Sequence, residues 1–249
     1  MIYDKILAER KGKAVYKVGN TIVKLFDSEF PKSDILNEAL NHARVEETGI
    51  TMPSLIAVSM IDNKWSMTID FIEGKTLQQL MDENPDKIDE YINLFVDLQM
   101  EIHSKKAPLL NKLKDKMVRK ISNLQEVDAT TRYELHTRLK VMPKHIKVCH
   151  GDFNPSNIII DPSGKAYILD WSHATQGNAS ADVARTYLLF SFKQPEIADK
   201  YLKLFCLKSN TAKQYVLQWL PLVAASQMDK GTPEEKEFLL KWVNTVECE

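Results

Sequence analysis

The sequence predicts an α+β fold in two lobes: a small antiparallel sheet with one helix over residues 1–72, then a mainly helical lobe over 73–249. Three observations predict it. Before residue 72, short strand-like runs come in pairs joined by turn dipeptides. After Gly74, apolar residues recur at helical spacing. A polar window, Val148 to Ala174, then interrupts the helical half with two or three short apolar runs.

In the first lobe "AVYKV" and "TIVKLF" flank Gly19-Asn20, and "SLIAVSM" and "KWSMTIDF" flank Asp62-Asn63, two hairpin signals. Between the pairs "FPKSDILNEALNHARVEETG" predicts a helix. Ser33 is expected to cap it, Gly49 to close it, and Ile35, Leu36, Ala39 and Ala43 to form its apolar face. "DFIEG" then reads as a hinge. In "IDEYINLFVDLQMEIH" the residues Ile88, Tyr91, Ile92, Phe95, Leu98 and Ile102 form one stripe. Further helical runs are expected near 111–126, 130–140, 180–192, 195–207, 211–228 and 233–247. Trp171, Tyr187, Phe190, Phe192 and Trp219 are expected in the core, and the acidic run "MDENPDKIDE" reads as a solvated face.

Composition narrows the function. The chain has 249 residues, 44% hydrophobic and 27% charged, enough for a sizeable core. Lys+Arg is 33 and Asp+Glu is 34, so no global basic field argues for nucleic acid. Cys149, Cys206 and Cys248 form no CxxC pair, so neither a disulfide framework nor a zinc site is implied. No segment approaches the ~20 apolar residues that span a bilayer, and "MIYDKILAERKGK" lacks a signal-peptide core; a cytoplasmic protein is expected.

The window carries the chemistry. Asp152 and Asn157 lie five residues apart, and Asp170 follows thirteen residues after Asn157. A hairpin through Asp161-Pro162-Ser163-Gly164 would return the chain and bring Asp170 beside Asn157. Two carboxylates and an amide are hard oxygen donors of the kind magnesium takes, with phosphate oxygens and water completing the octahedron. Phosphoryl transfer needs that set, a carboxylate to orient the incoming hydroxyl, and a cation on the nucleotide phosphates. Lys24 stands in the otherwise apolar strand "TIVKLF", and Glu38, with Glu46 or Glu47 as alternatives, is placed to fix it. Gly12 offers a turn over phosphates. Loop glycine, strand lysine, helix glutamate, then Asp, Asn and Asp form a protein-kinase-like order.

At these residues the chain resembles the aminoglycoside phosphotransferase and choline kinase family. "HGDFNPSN" is similar to that family's HGDxxxxN loop, "ILDWSHATQGNASADVAR" to its IDW…G…DxAR continuation, "TIDFIEGKTL" to its hinge, and "DLQMEIHS" to a helix ending in His-Ser. The resemblance runs from about Lys5 to about Met228. It implies a bilobal protein-kinase-like fold and an ATP- and magnesium-dependent kinase acting on a hydroxyl of a small molecule. It implies Asp152 as the catalytic aspartate, Asn157 and Asp170 on magnesium, Lys24 on the phosphates, and Glu38 on Lys24. Asp70 and Ile72 would offer backbone groups to adenine, and His150 and Asp182 would support the loop from below. Asp182 in a helix's first turn also suits the helix dipole, as His103 does at a helix end. The chain departs from relatives at Asn154, where many carry His or Lys, and has one glycine, Gly12, in the nucleotide loop.

Two other classes remain open at this stage. His150, Asp152, Asp170 and His173 could ligate the metal of a hydrolase. A catalytically silent nucleotide-binding pseudo-kinase would normally lack Lys24, Asp152 or Asn157, and none is lost.

Overall fold

A computed structural model describes residues 5–10, 12–228 and 232–244. Cys248 and residues 245–247 of the expected last helix lie outside them. The chain forms two compact units, residues 1–85 with 155–174, and residues 86–154 with 175–249. The division thus falls after Pro85, not at the expected 72/73, and the hairpin of the polar window joins the first unit.

The first unit is built on strands β1 (Lys5–Arg10), β2 (Lys13–Val18), β3 (Thr21–Phe26), β4 (Leu55–Ile61) and β5 (Lys64–Asp70), with helix α1 (Lys32–Glu46) between β3 and β4. They form one antiparallel sheet in the order β1-β2-β3-β5-β4. Both hairpins fall where the turn dipeptides placed them. Asp62 and Asn63 take φ of 48° and 62°, the doubly left-handed turn that matches the twist of the flanking strands. Strand β1 was not expected, because "KILAER" has little alternation to mark it.

Helix α1 closes one face of this sheet. Ile35 and Ala39 meet Phe26, Met67 and Ile69 in a buried cluster. Ser33 does not cap the helix: it lies inside the first turn, and Pro31 occupies the cap position without a side-chain bond. Leu36 is 42% exposed, so the buried face is rotated away from the expected one. Its place is taken by the polar residues Glu38, Asn41 and His42.

A second, three-stranded sheet orders β6 (Lys75–Thr76), β8 (Ile158–Ile160) and β9 (Ala166–Ile168) as β6-β8-β9. Helix α2 (Leu77–Glu83) starts with a capping box in which Thr76 and Gln79 exchange bonds. Pairing of β6 with β8 requires a glycine at 74. A Cβ there would lie 2.2 Å from the Ile160 carbonyl oxygen. Gly74→Ala is therefore expected to cost about 1–3 kcal/mol, read as a lower midpoint in urea; an unchanged midpoint would mean that this backbone approach is slack.

The second unit is mainly helical: α3 (Ile88–Ser104), α4 (Leu113–Ser122), α5 (Ala129–Val141), α6 (Ala179–Lys193), α7 (Pro195–Ser209), α8 (Lys213–Leu217), α9 (Leu220–Ala225) and α10 (Pro233–Val243). Strands β7 (Lys147–Cys149) and β10 (Thr175–Gly177) pair antiparallel beside them. The run expected at 211–228 is broken into α8 and α9, with Pro221 in the first turn of α9 where its missing N–H is tolerated. The core gathers around Phe95, whose ring centre lies 4.4 Å from Phe153, 5.5 Å from Phe190 and 5.7 Å from Tyr201. Of the five aromatics expected in the core, Trp171, Phe190 and Trp219 are buried in their respective units, Tyr187 is partly buried and Phe192 is exposed. Among the described residues no helix is long and apolar enough to cross a membrane.

Candidate active site

In the sheet unit, strand pairing sets the charged groups. Val15 stands opposite Lys24 and Lys13 opposite Phe26, so Lys13, Val15, Lys24 and Phe26 share one sheet face. Lys24 Nζ lies 2.6 Å from Glu38 Oε1. Glu38, and not Glu46, is the partner: Glu46 accepts the Leu55 N–H instead. Helix α1 spends three same-face residues on this region. Glu38 holds Lys24, Asn41 donates to the Ser172 carbonyl at 3.3 Å, and His42 donates to the Pro53 carbonyl at 2.7 Å. Burial lowers the His42 pKa, a shift that the Pro53 bond only partly offsets, so the ring stays neutral at neutral pH.

A cavity of about 230 Å³ opens in this unit, lined by apolar residues of the strands and by Lys13, Lys24, Asp70, Asn157 and Asp170. The hairpin β8–β9 does what the turn residues predicted. Asp161 accepts bonds from Ser163 and Lys165, and the Leu169 N–H bonds the Asn157 carbonyl at 2.8 Å. Asn157 and Asp170 thereby line the same cavity. Asp170 sits at φ 59° and ψ 70°, a left-handed conformation uncommon outside glycine and typical of functional loops. The pair fits magnesium by its donor chemistry: one carboxylate and one amide oxygen, with other positions left for phosphate oxygens and water. Asp70 and Ile72 also line the cavity. The Asp70 N–H is taken by the Ser54 carbonyl and the Phe71 N–H by that of Asn20, while no described residue accepts from the Ile72 N–H.

Gly12 does not reach this cavity. It takes φ 85° at the β1–β2 turn, and a Cβ there would come 2.9 Å from the Phe30 ring. Its carbonyl accepts the Asp27 N–H. The expected turn at Gly12 is present, and the neighbouring Lys13 lines the cavity.

In the helical unit the loop after β7 rests on α6. Asp182 Oδ1 accepts the Gly151 N–H at 2.7 Å, while Oδ2 accepts the His150 N–H at 3.1 Å and His103 Nε2–H at 3.0 Å. Burial pushes this carboxyl up, but the His103 bond, the charges of His103 and His150 and the Gly151 N–H outweigh it and hold it below the usual carboxylate range. His103 stands in the last turn of α3, as expected, and is also a buried partner of Asp182. Arg185 Nη2 lies 3.4 Å from Asp152 Oδ1, and Thr186 donates to the Phe153 carbonyl at 3.0 Å. Asp182, Arg185 and Thr186 stand at i, i+3 and i+4, one helical face serving one loop. His150 is wholly buried and its Nδ1 accepts the Asp152 N–H, a bracing position. Asn154 donates to the Asp152 carbonyl at 3.0 Å and reaches its carboxylate at 3.4 Å. The Asp152 side chain remains 30% exposed. Just before the loop, the Cys149 thiol is buried, 3.6 Å from the Asn178 carbonyl.

Lys13 and Arg185 were not singled out from the sequence. The signal for Arg185 is its offset of three from Asp182; for Lys13 it is the register that places it beside Phe26. No group of three or more His, Cys, Asp or Glu among the described residues is placed to hold a metal. Of the metallohydrolase set, His150 and Asp152 belong to the helical unit and Asp170 and His173 to the sheet unit.

A small antiparallel sheet with one helix, followed by a helical unit whose HGD loop is held from below by a buried aspartate, defines the class of protein-kinase-like phosphotransferases. The family profile described as "Phosphotransferase enzyme family" matches residues 11–215, and the chain belongs to that family. Solved structures agree on the fold. A thermostable mutant of aminoglycoside phosphotransferase APH(4)-Ia, in ternary complex with AMP-PNP and hygromycin B, superposes with a TM-score of 0.72 at 12% identity, covering 97% of this chain and 93% of its own. The choline kinase LicA from Streptococcus pneumoniae gives 0.62 at 16% identity, covering 96% and 93%. A choline/ethanolamine kinase family protein from Mesorhizobium loti gives 0.61 at 13% identity, covering 98% and 82%. No curated protein sequence matches.

Proposed function

We propose that this protein is an ATP-dependent kinase that moves the γ-phosphoryl group to a hydroxyl of a small molecule such as an aminoglycoside, an amino alcohol or choline, or a sugar. The observation that carries it is the cavity of the sheet unit, apolar along the strands and lined by the Glu38-held Lys24 together with Asn157 and Asp170. An adenine suits the apolar lining, with the Ile72 N–H as a donor, and the phosphates suit Lys24. Asn157 and Asp170 would hold magnesium, which when bound neutralises charge on the phosphates. Asp152 orients the acceptor hydroxyl. As the hydroxyl oxygen bonds to the γ-phosphorus and the β–γ bridge breaks, the proton passes to the Asp152 carboxylate, late in a loose transition state. Arg185 and Asn154 fix the direction of that carboxylate. The presence of Lys24, Asp152, Asn157 and Asp170 together favours an active enzyme over a silent binder.

A screen of hydroxylated metabolites and antibiotics for ATP consumption, with the product weighed by mass spectrometry, tests the reaction; no phosphorylated product from any class would defeat it. Calorimetry tests the site. Lys24→Met keeps the aliphatic stem and removes the charge, and is expected to weaken ATP by at least about tenfold, the size of one lost charged hydrogen bond. Asp170→Asn should weaken magnesium-ATP and spare adenosine. Equal losses for both ligands would show that these groups do not act on the phosphate end.

A further inference from the structure

Two ammonium groups share one buried carboxylate in the sheet unit. Glu38 is 6% exposed. Lys24 Nζ stands 2.6 Å from its Oε1, and Lys13 Nζ stands 3.6 Å from its Oε2. Both ammonium groups line the cavity, and Asp70 and Asp170 line it with them.

Lys13 is not a loose surface chain. Cross-strand pairing sets it opposite the wholly buried Phe26, and its ammonium lies 5.9 Å from the centre of that ring. The Asp27 N–H bond to the Gly12 carbonyl ties down the backbone on either side. The side chain is only 18% exposed. An ammonium group held in place beside Lys24 on the cavity wall can add a second charge-assisted hydrogen bond to a phosphate oxygen.

We propose that Lys13 is a second phosphate-binding cation, acting with Lys24 on the polyphosphate end of the nucleotide. The proposal rests on the nucleotide reading of the cavity given above. Glu38 then has two tasks. It orients Lys24, and it keeps both ammonium groups on the cavity wall until phosphate oxygens take over part of their charge. The second lysine adds its own donors to those that Lys24 offers.

The test is calorimetry of ATP and of adenosine with the full chain, its Lys13→Met, Lys13→Arg and Glu38→Gln variants, and the double variant Lys13→Met/Glu38→Gln. Lys13→Met is expected to weaken ATP roughly tenfold at low salt, to leave adenosine within about twofold, and to flatten the salt dependence of ATP binding. Lys13→Arg should restore most of the affinity, and the loss should persist in the Glu38→Gln background. ATP affinity unchanged in Lys13→Met, while Lys24→Met loses it, overturns the role of Lys13 and leaves the nucleotide reading standing. A loss that vanishes in the Glu38→Gln background also overturns it, because Lys13 would then act only as a brace for Glu38. Equal loss of ATP and adenosine does the same by pointing to a folding defect. A parent protein that binds neither ligand removes the nucleotide reading itself.

Discussion

Asp152→Ala is expected to slow phosphoryl transfer by about 10²–10⁴-fold, the usual contribution of a positioned acid–base group. ATP affinity should stay within about threefold, well under the tenfold that 1.4 kcal/mol represents, because the groups proposed for the nucleotide, Lys24, Asn157 and Asp170, belong to the sheet unit and are left untouched. The two readouts must separate. A variant with near-parental turnover on an acceptor from the metabolite screen would take Asp152 out of the chemistry. One that loses ATP binding along with turnover would assign it to nucleotide binding instead. The substitution also leaves Arg185 without its Asp152 partner, so Asp152→Asn serves as a second variant in which the side-chain volume is kept. Both should show the same kinetic split.

The second large effect is on stability. Asp182→Asn keeps the shape but not the bonding. The carboxylate receives three donors, the His150 N–H, the Gly151 N–H and His103 Nε2–H. An amide has one oxygen, and its NH₂ would face a donor in this buried pocket. The loss should reach at least about 3 kcal/mol, as for breaking a buried charged pair, or roughly 6–12 °C in Tm for a chain of this size. Its pH dependence has a fixed sign. The folded carboxyl lies below its ordinary range, so its stabilisation is fully present above the unfolded Asp value near about 4. It is lost as pH falls through the lower folded value. The gap between parent and variant should therefore narrow on acidification below about pH 4. A Tm shift under roughly 3 °C at neutral pH would mean that the loop does not depend on this carboxylate.

What could be read from the sequence is what local chemistry encodes. Gly19-Asn20, Asp62-Asn63 and Asp161–Gly164 specify their hairpins by turn geometry alone, and the stripe through Ile92, Phe95 and Ile102 specifies α3. The Lys24–Glu38 pair was expected from order along the chain, and the ion pair is present. Failures occurred where tertiary context decides. Leu36 has the pattern of a core residue, yet α1 turns Glu38, Asn41 and His42 inward because the sheet unit offers Lys24 and two carbonyls as partners. Thr76 and Gln79 carried a capping-box signal for α2 that the hinge reading passed over. The compact unit extends past residue 72 because β6 pairs with β8, a strand more than eighty residues away in the chain. Lys13 matters through partners on other elements, which no local pattern contains; Arg185 stands in the DxAR run, but only the fold shows that its partner is Asp152.

Cys149 has a consequence for observing this molecule at work. Burial and the charge of Asp182 push its thiol well above the ordinary range, so the folded protein holds almost no thiolate there for an alkylating reagent. Reaction must wait until β7 parts from its surroundings, and its rate then reports the opening equilibrium of the strand that feeds the HGD loop. Cys206, partly exposed, reacts without such an event. The chain thus carries its own clock for the breathing of the segment that leads into the HGD loop, placed beside the aspartate that anchors it.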